Sequence, residues 1–184
     1  MEMEKDSGFF QRLAQRVLAE MPPEDRFREA DARAMAQNKE ALLALTDELV
    51  QAFYDTLFAH PPTKAVFREG ERPEREETLR RWWQRAVAGP FDLDYWAWQA
   101  YVGLAHVKRG VSNPMTLGHT AFVARFVSER VPEVAGAIAR LMTTVAALIA
   151  EGYKEVYLEA ARDITGQSRE LLERSVRISV EELR

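Results

Sequence analysis

The fold class is decided by PEVAGAIARLMTTVAALIAEGYKEV, residues 132–156, the longest stretch with helical periodicity in the chain. Its apolar residues recur every three or four positions for about seven turns at 3.6 residues per turn. They are Val134, Ala137, Ile138, Leu141, Val145, Leu148, Ile149, Gly152, Tyr153 and Val156. A continuous apolar face of this length is typical of a long helix that packs against a core.

Two other stretches repeat the helical pattern. Residues 30–58 place Leu42, Leu45, Leu49, Val50, Phe53 and Leu57 on one stripe, and residues 78–87 form a shorter one. Prolines at positions 22–23, 61–62, 73, 90, 114 and 132 fall at or near the starts of periodic segments, where a missing N–H costs least. No alternating strand pattern exceeds about four residues, and there is no hairpin signal. The sequence therefore predicts an all-α fold.

Composition limits the classes of function. With 184 residues, 47% of them hydrophobic, the chain is long enough for one sizeable core, and one domain is expected. The absence of cysteine excludes disulfides, thiolate zinc sites and covalent Cys-x-x-Cys-His haem attachment. A net charge of −4 disfavours nucleic acid as a partner. The N-terminus has no basic segment followed by an apolar stretch, so we expect a cytoplasmic protein without membrane insertion.

One histidine lies near the end of a predicted helix, in GLAHVKRGV, residues 103–111. Asp92 or Asp94 can cap the start of this helix, and Gly110 can end it. His106 therefore lies about one turn before the helix end.

The face that His106 occupies is apolar. Steps of four, four and three residues back along the helix lead to Val102, Trp98 and Tyr95. Gly103, on the adjoining surface, allows something flat or another backbone to approach closely. From spacing alone His106 is either a hydrogen-bonded core residue or a ligand. Tyr54, at the flank of the 30–58 stripe, is either a core tyrosine or one that directs its hydroxyl into a cavity.

Four motifs together resemble the sensor branch of the globin superfamily, the globin-coupled sensors and protoglobins. AFYDTLFAHP, residues 52–61, is similar to the end of that branch's helix B. TLRRWWQRAVAGPFDLDYW, residues 78–96, is similar to helix E and the segment after it. VGLAHVKRGV, residues 102–111, resembles the helix F motif with its haem-binding histidine, and NPMTLGHTAF, residues 113–122, resembles the start of helix G.

The resemblance implies a globin fold with an extra N-terminal helix and a long final helix. The implied organisation is an N-terminal helical extension over residues 1–22 and a sensor globin domain over residues 23–164. Residues 165–184 then form a helical tail or the start of a signalling linker. Leu172, Val176, Ser179 and Leu183 have the four-three-four spacing of a coiled-coil seam.

The resemblance also implies haem b as cofactor, with His106 as the iron ligand on the proximal side. Tyr54 then donates its O–H to a gas in the distal pocket, and Thr78 is a second candidate donor. Lys108 and Arg109 are candidates to meet the haem propionates. The residues placed around the haem in this way are Phe53, Tyr54, Thr78, Trp82, Val102, Gly103, His106, Lys108 and Arg109.

This chain departs from the family pattern at two places. Met115 and Thr116 stand where many relatives have an aromatic pair, which puts in doubt any hydrogen-bond relay on the proximal side. Trp82 and Trp83 are bulky enough to fill the distal cavity if either points inward.

The function implied is reversible binding of oxygen or another diatomic gas and signalling through a homodimer, not catalysis. In this family the last two helices, here about residues 114–129 and 132–163, pack against their copies. The candidate interface residues are Val145, Leu148, Ile149, Gly152 and Val156, which serve equally well to bury the domain's own core. The alternatives are a haemless interaction domain and a haem enzyme for nitric oxide or peroxide chemistry that depends on a separate reductase.

Overall fold

A computed structural model describes residues 7–182, and this part of the chain contains no β-strand. Its ten α-helices are α1 (Ser7–Glu20), α2 (Glu29–Gln37), α3 (Lys39–Ala44), α4 (Thr46–Ala59), α5 (Pro61–Lys64), α6 (Arg72–Ala88), α7 (Leu93–Arg109), α8 (Asn113–Arg130), α9 (Ala135–Thr165) and α10 (Arg169–Glu182). A 3₁₀ turn, Pro132–Val134, precedes α9. The prediction of an all-α chain is confirmed.

Helix α7, which carries His106, begins and ends where the sequence predicts. The side chain of Asp92 caps its start by accepting a hydrogen bond of 2.8 Å from the Tyr95 N–H. Gly110 ends it with a φ of 72°, in the left-handed region that glycine adopts at little cost. Lys108 and Arg109 lie in the last turn, where positive charges interact favourably with the helix dipole.

The predicted stripe over residues 30–58 is divided among three helices instead of one. The first break is at Asn38, whose side-chain amide donates to the Ala34 carbonyl at 2.9 Å. The second is at Leu45, and there the Thr46 hydroxyl donates to the Leu43 carbonyl at 2.5 Å. These side chains offer the backbone alternative partners, which turns the chain without interrupting the apolar face.

Helix α9 forms the centre of the core. Val145, Leu148, Ile149 and Gly152, candidates for a dimer interface, are buried inside the protomer and belong to its own core. Residues 132–165 are long and apolar enough to cross a membrane, with a mean hydropathy of 1.5 in the best window. However, half of that window is buried within the fold, as in the core helix of a globular domain.

Two glycines bring the backbones of α7 and α9 into direct contact. A Cβ on Gly152 would overlap the Ala100 carbonyl, and a Cβ on Gly103 would lie 2.6 Å from the Tyr153 nitrogen. Of the two roles that the sequence allows for Gly103, close approach of another backbone is the one observed. The helix with His106 is therefore seated directly on α9, without side chains between the two backbones.

The first and last described helices meet α9 at Glu155, which is almost fully buried. Arg16 of α1 donates to its Oε1 at 2.6 Å, and Arg169 of α10 donates to both carboxylate oxygens at 2.6 and 2.7 Å. Helix α10 thus turns back after Gly166, which has a φ of 66°, and docks onto α9. In the predicted coiled-coil seam, Leu172 is half-buried, Val176 and Ser179 are exposed, and Leu183 lies outside the described residues.

This cluster predicts a specific acid sensitivity. Hydrogen bonds from Arg169 and Arg16 hold the pKa of Glu155 at about 2, although burial alone would raise it. Because this pKa is lower than in the unfolded chain, the ion pairs stabilise the fold above about pH 4.5. That stability is lost as the pH falls toward 2. Glu155→Gln should remove about 1–2 kcal/mol of this pH-dependent stability, with allowance for solvent around the arginines. Urea unfolding at pH 7 and pH 3 measures it. Glu159→Gln is the control, because the side chain of Glu159 on the same helix is 40% accessible, against 2% for Glu155, and pairs with Arg162 of its own helix.

Candidate functional site

The candidate pocket lies between two hydrophobic clusters that share few side chains. Tyr54 of α4, with Val50 and Leu57, forms a small cluster that includes Leu79 of α6 at its edge. The large cluster contains buried residues of α1, α7, α8 and α9, together with some from α2, α3, α4 and the second half of α6. Phe53 packs against both. The core is therefore divided into a layer around Tyr54 and a layer that supports the helix of His106.

Helices α6 and α7 are joined at two points, on either side of the position of His106. The Trp82 indole N–H donates to Gln99 Oε1 at 3.2 Å, and Arg109 pairs with Glu71, just before α6, at 2.8 Å. The order of the two links along the chain shows that α6 and α7 run antiparallel. Gln99 and Arg109 are about 15 Å apart along α7, because a helix rises 1.5 Å per residue. The main backbone packing of α7 is on α9 and α1, whereas that of α6 is on α4. The two links therefore bound a length of α6 and α7 over which the two backbones make little contact, and we call this interval the opening.

Helix α8 crosses the back of this opening and contacts both layers. Thr116 Oγ1 lies 3.2 Å from His106 Nδ1, and His119, one turn further on, has its ring centroid 5.0 Å from that of Phe53. The side chains of His106 and Phe53 thus converge on adjacent turns of one helix. Helix α8 therefore contacts both the candidate iron ligand and Phe53, the residue before the candidate distal tyrosine.

His106 is half-buried and uncharged at neutral pH. Burial lowers the pKa of its imidazole to about 4, and the positive charge of Arg109 acts in the same direction. A neutral imidazole keeps a nitrogen lone pair, which is the form that binds a metal.

Thr116 determines which imidazole nitrogen keeps that lone pair. Its hydroxyl also lies 3.3 Å from the Ser112 carbonyl, to which it donates its one proton. With its proton donated there, the hydroxyl oxygen can accept from His106 Nδ1–H, and this is the tautomer that leaves the lone pair on Nε2. A fixed tautomer of this kind is the usual way in which proteins orient a ligating histidine.

Tyr54 lies in the opposite layer with its hydroxyl already hydrogen-bonded. The phenol is 6% exposed and donates to the Arg75 carbonyl of α6 at 2.7 Å. Burial raises the pKa of the phenol well above its ordinary value, so the hydroxyl stays protonated. In this conformation the Tyr54 hydroxyl donates its proton to the backbone of α6 and is not directed into the opening.

The two tryptophans occupy different places. Trp83 is fully buried, and its indole N–H donates to the Leu42 carbonyl of α3 at 3.1 Å, so it fills the core behind α6. Trp82 is half-buried and closes one end of the opening through Gln99. Neither ring is in contact with Tyr54 or His106 among the described aromatic pairs.

Thr78, Gly103 and Lys108, which the resemblance also assigns to the haem, do not lie at the opening. Thr78 is exposed and donates to the Glu74 carbonyl within its own helix at 2.9 Å. Gly103 faces the backbone of α9. Lys108 is exposed at the end of α7, while Arg109 is engaged by Glu71.

The residues that frame the opening fit a haem. They supply one neutral imidazole, whose Nε2 has no hydrogen-bond partner among residues 7–182, and the half-buried apolar side chain of Val102 on the same face of α7. Phe53 lines the other side, and a positive charge lies at the open end. Haem proteins with histidine ligation use such an arrangement, in which one imidazole binds iron and the opposite pocket admits the gas.

Sequence reasoning missed two partners of the site, the Arg75 carbonyl and Glu71, and it named Thr116 only as a departure from the family pattern that put a proximal hydrogen bond in doubt. Thr116 follows His106 by ten residues across the turn at Gly110. This spacing is a signal for contact between them, because a helix that reverses direction after such a turn passes back alongside the helix before it. The Arg75 carbonyl and Glu71 have no sequence signal, since a backbone acceptor carries none and Glu71 lies in a segment rich in charges.

The comparison with known proteins covers the whole of this site. The Protoglobin family model matches residues 26–159 of the chain. No curated protein matches it. The matched range contains every residue of the candidate pocket and excludes α1 and α10.

Proposed function

Because this chain belongs to the protoglobin family, we propose that it binds haem b in the opening between α6 and α7 and uses it to bind a diatomic gas reversibly. Oxygen, carbon monoxide and nitric oxide are the candidate gases. The observation that carries the proposal is the neutral imidazole of His106, whose Nδ1 is held by Thr116 and whose Nε2 is free to bind iron. Ferrous haem supplies the metal centre at which such gases bind.

The residues on the two sides of the proposed pocket have different roles. On the proximal side, His106 holds the cofactor and Thr116 fixes its tautomer. On the distal side, Phe53 and Trp82 exclude water, and Tyr54 is a protonated donor because its raised pKa keeps it neutral. Tyr54 must exchange its bond to the Arg75 carbonyl for one to the gas before it can stabilise that gas.

An absorption spectrum tests haem binding directly. Protein produced with a haem precursor should show a Soret band that shifts on reduction with dithionite and shifts again with carbon monoxide. Colourless protein that takes up no added hemin would contradict the proposal and support a haemless interaction domain. Steady consumption of nitric oxide with a reducing partner would instead support the enzymatic alternative.

Tyr54→Phe tests the distal hydrogen bond. Removal of the hydroxyl should raise the oxygen dissociation rate about two- to tenfold, the value of one hydrogen bond of about 0.5–1.5 kcal/mol. Flash photolysis or stopped-flow mixing measures the rate. Tyr101→Phe, at a partly exposed tyrosine of α7, is the control and should leave the rate unchanged. Equal rates in all three proteins would exclude Tyr54 as the donor.

We also propose that the protein forms a homodimer through α8 and α9, by a face of α9 other than the one that fills the core. The residues of this face, which we call the α9 seam, are separated alternately by four and three positions, and all are exposed or half-buried. They are Ala139, Thr143, Ala146, Ala150, Tyr153, Tyr157, Ala160 and Ile164. This spacing is typical of helices that pair along an apolar seam. Leu117 of α8, 46% exposed, extends the apolar surface.

Thr143→Arg tests this interface. A charged side chain in the middle of the α9 seam should weaken dimerisation at least about tenfold, because an unpaired charge in an interface is costly. Sedimentation velocity over a concentration series measures the change. Gln15→Arg, on the exposed surface of α1, adds the same charge elsewhere and should have no effect. A monomeric wild-type protein would contradict the dimer but not haem binding.

A further inference from the structure

We propose that Glu71 is a latch for haem loading, an inference that rests on the proposed haem site. In the structure Glu71 holds the guanidinium of Arg109 between the end of α7 and the start of α6. When haem is bound, a haem carboxylate replaces Glu71 as the partner of Arg109.

The contacts of Glu71 define the latch. Its Oε1 lies 2.8 Å from Arg109 Nη1 and 3.3 Å from Arg75 Nε, and its Oε2 accepts the Arg68 N–H at 3.0 Å. The hydrogen bond from Arg109 is the main reason that the pKa of Glu71 falls to about 2. The Glu71 carboxylate is thus held in place by Arg68 and Arg75 of its own segment, and it also pairs with Arg109 of α7.

The latch lies where it controls access. Arg109 follows His106 by three residues, so it is on the turn next to the proposed iron ligand. Glu71 precedes α6, whose Arg75 carbonyl binds the Tyr54 hydroxyl. One ion pair therefore connects the proximal helix to the helix that holds the distal tyrosine, at the end of the opening that Trp82 and Gln99 leave free.

The chemistry of the pair permits exchange. A guanidinium binds any carboxylate with the same planar donors, so a haem propionate can take the place of the Glu71 side chain. The pair is partly exposed, with 31% of the Arg109 side chain accessible, and pairs in such positions are weak enough to be broken by a competing ligand. Once released, Glu71 retains the Arg68 N–H and Arg75 as partners.

Two variants separate the latch from a general structural role, because they should change haem uptake in the same direction and haem loss in opposite directions. Glu71→Gln should accelerate uptake of hemin by the apoprotein about two- to fivefold, the value of a partly exposed ion pair, and slow haem loss by a similar factor. The reason is that Arg109 is then free for the propionate. Arg109→Met should also accelerate uptake but should accelerate loss, since it removes both partners. Stopped-flow Soret absorbance measures uptake, and transfer to excess apomyoglobin measures loss.

Glu74→Gln is the matched control, because Glu74 is an exposed carboxylate of the same turn that pairs with Arg75 and not with Arg109. It should leave both rates unchanged. Hemin dimethyl ester, which has no carboxylate, should abolish the slower loss in Glu71→Gln while keeping the faster uptake.

Three outcomes would overturn the latch: unchanged uptake in Glu71→Gln, faster loss in Glu71→Gln as in Arg109→Met, or a retention gain that persists with the ester. Failure of wild-type and variant apoproteins to take up hemin at all is a different result, because it would overturn the proposed function itself. Thermal unfolding of each apoprotein shows that the rates compare folded proteins.

Discussion

Gly152→Ala should destabilise the haem-free protein by about 3 kcal/mol, at the upper end of the cost of overpacking a core. The added Cβ overlaps the carbonyl oxygen of Ala100, and a backbone atom cannot move aside as a flexible side chain can. Helices α7 and α9 must separate or bend, and this cost exceeds the roughly 1 kcal/mol that alanine gains over glycine within a helix. Urea unfolding followed by circular dichroism measures the loss.

Gly136→Ala is the matched control on the same helix. Its Cβ would meet only the guanidinium of Arg140, at 3.4 Å, and the position is exposed. This variant should be as stable as wild type or more stable by up to about 1 kcal/mol. Equal stability of the two variants would mean that the helices adjust freely, and that the contact between α7 and α9 does not fix the position of His106.

His106→Gly should weaken haem affinity at least about 100-fold, since partners that merely orient a ligating histidine already contribute 10- to 100-fold. The variant removes the imidazole that Thr116 orients, and it leaves a space into which free imidazole fits. Added imidazole should therefore restore the Soret spectrum of the wild type. Hemin titration with and without imidazole measures both effects.

Two further variants show whether the effect belongs to this histidine. Thr116→Val keeps the volume of the side chain but removes the acceptor for Nδ1–H, and should weaken affinity about tenfold. His119→Gln alters the other half-buried histidine near the pocket, whose Nδ1–H is donated to the Met115 carbonyl, and should have no effect. Loss of haem in His119→Gln but not in His106→Gly would assign the ligand to α8 instead.

Local sequence signals predicted the ends of α7 well, because the cap at Asp92 and the end at Gly110 depend on single residues and their immediate neighbours. They failed within residues 30–58, where the apolar stripe continues through the breaks at Asn38 and Leu45. Periodicity reports which face is buried, and it does not report a turn that leaves this face intact.

The candidate site was predictable only in part. Family motifs pointed to His106 and Tyr54, and the structure places them on α7 and α4, in contact with Thr116 and the Arg75 carbonyl respectively. The roles of Gly103 and Val145 depend on which surface α9 presents to α7, and a stripe as wide as that of α9 can serve a core or an interface equally. The partner of Tyr54 is a backbone carbonyl, which no residue type reveals.

The glycine contact between α7 and α9 has a consequence for the proposed dimer. Two helices whose backbones touch shift as one body, so a displacement of the proposed iron ligand is passed to the α9 seam without being absorbed by side chains. In a dimer built on that face, thermodynamic linkage is reciprocal. If gas binding changes the association constant of the dimer by a given factor, dimerisation must change the gas affinity by the same factor.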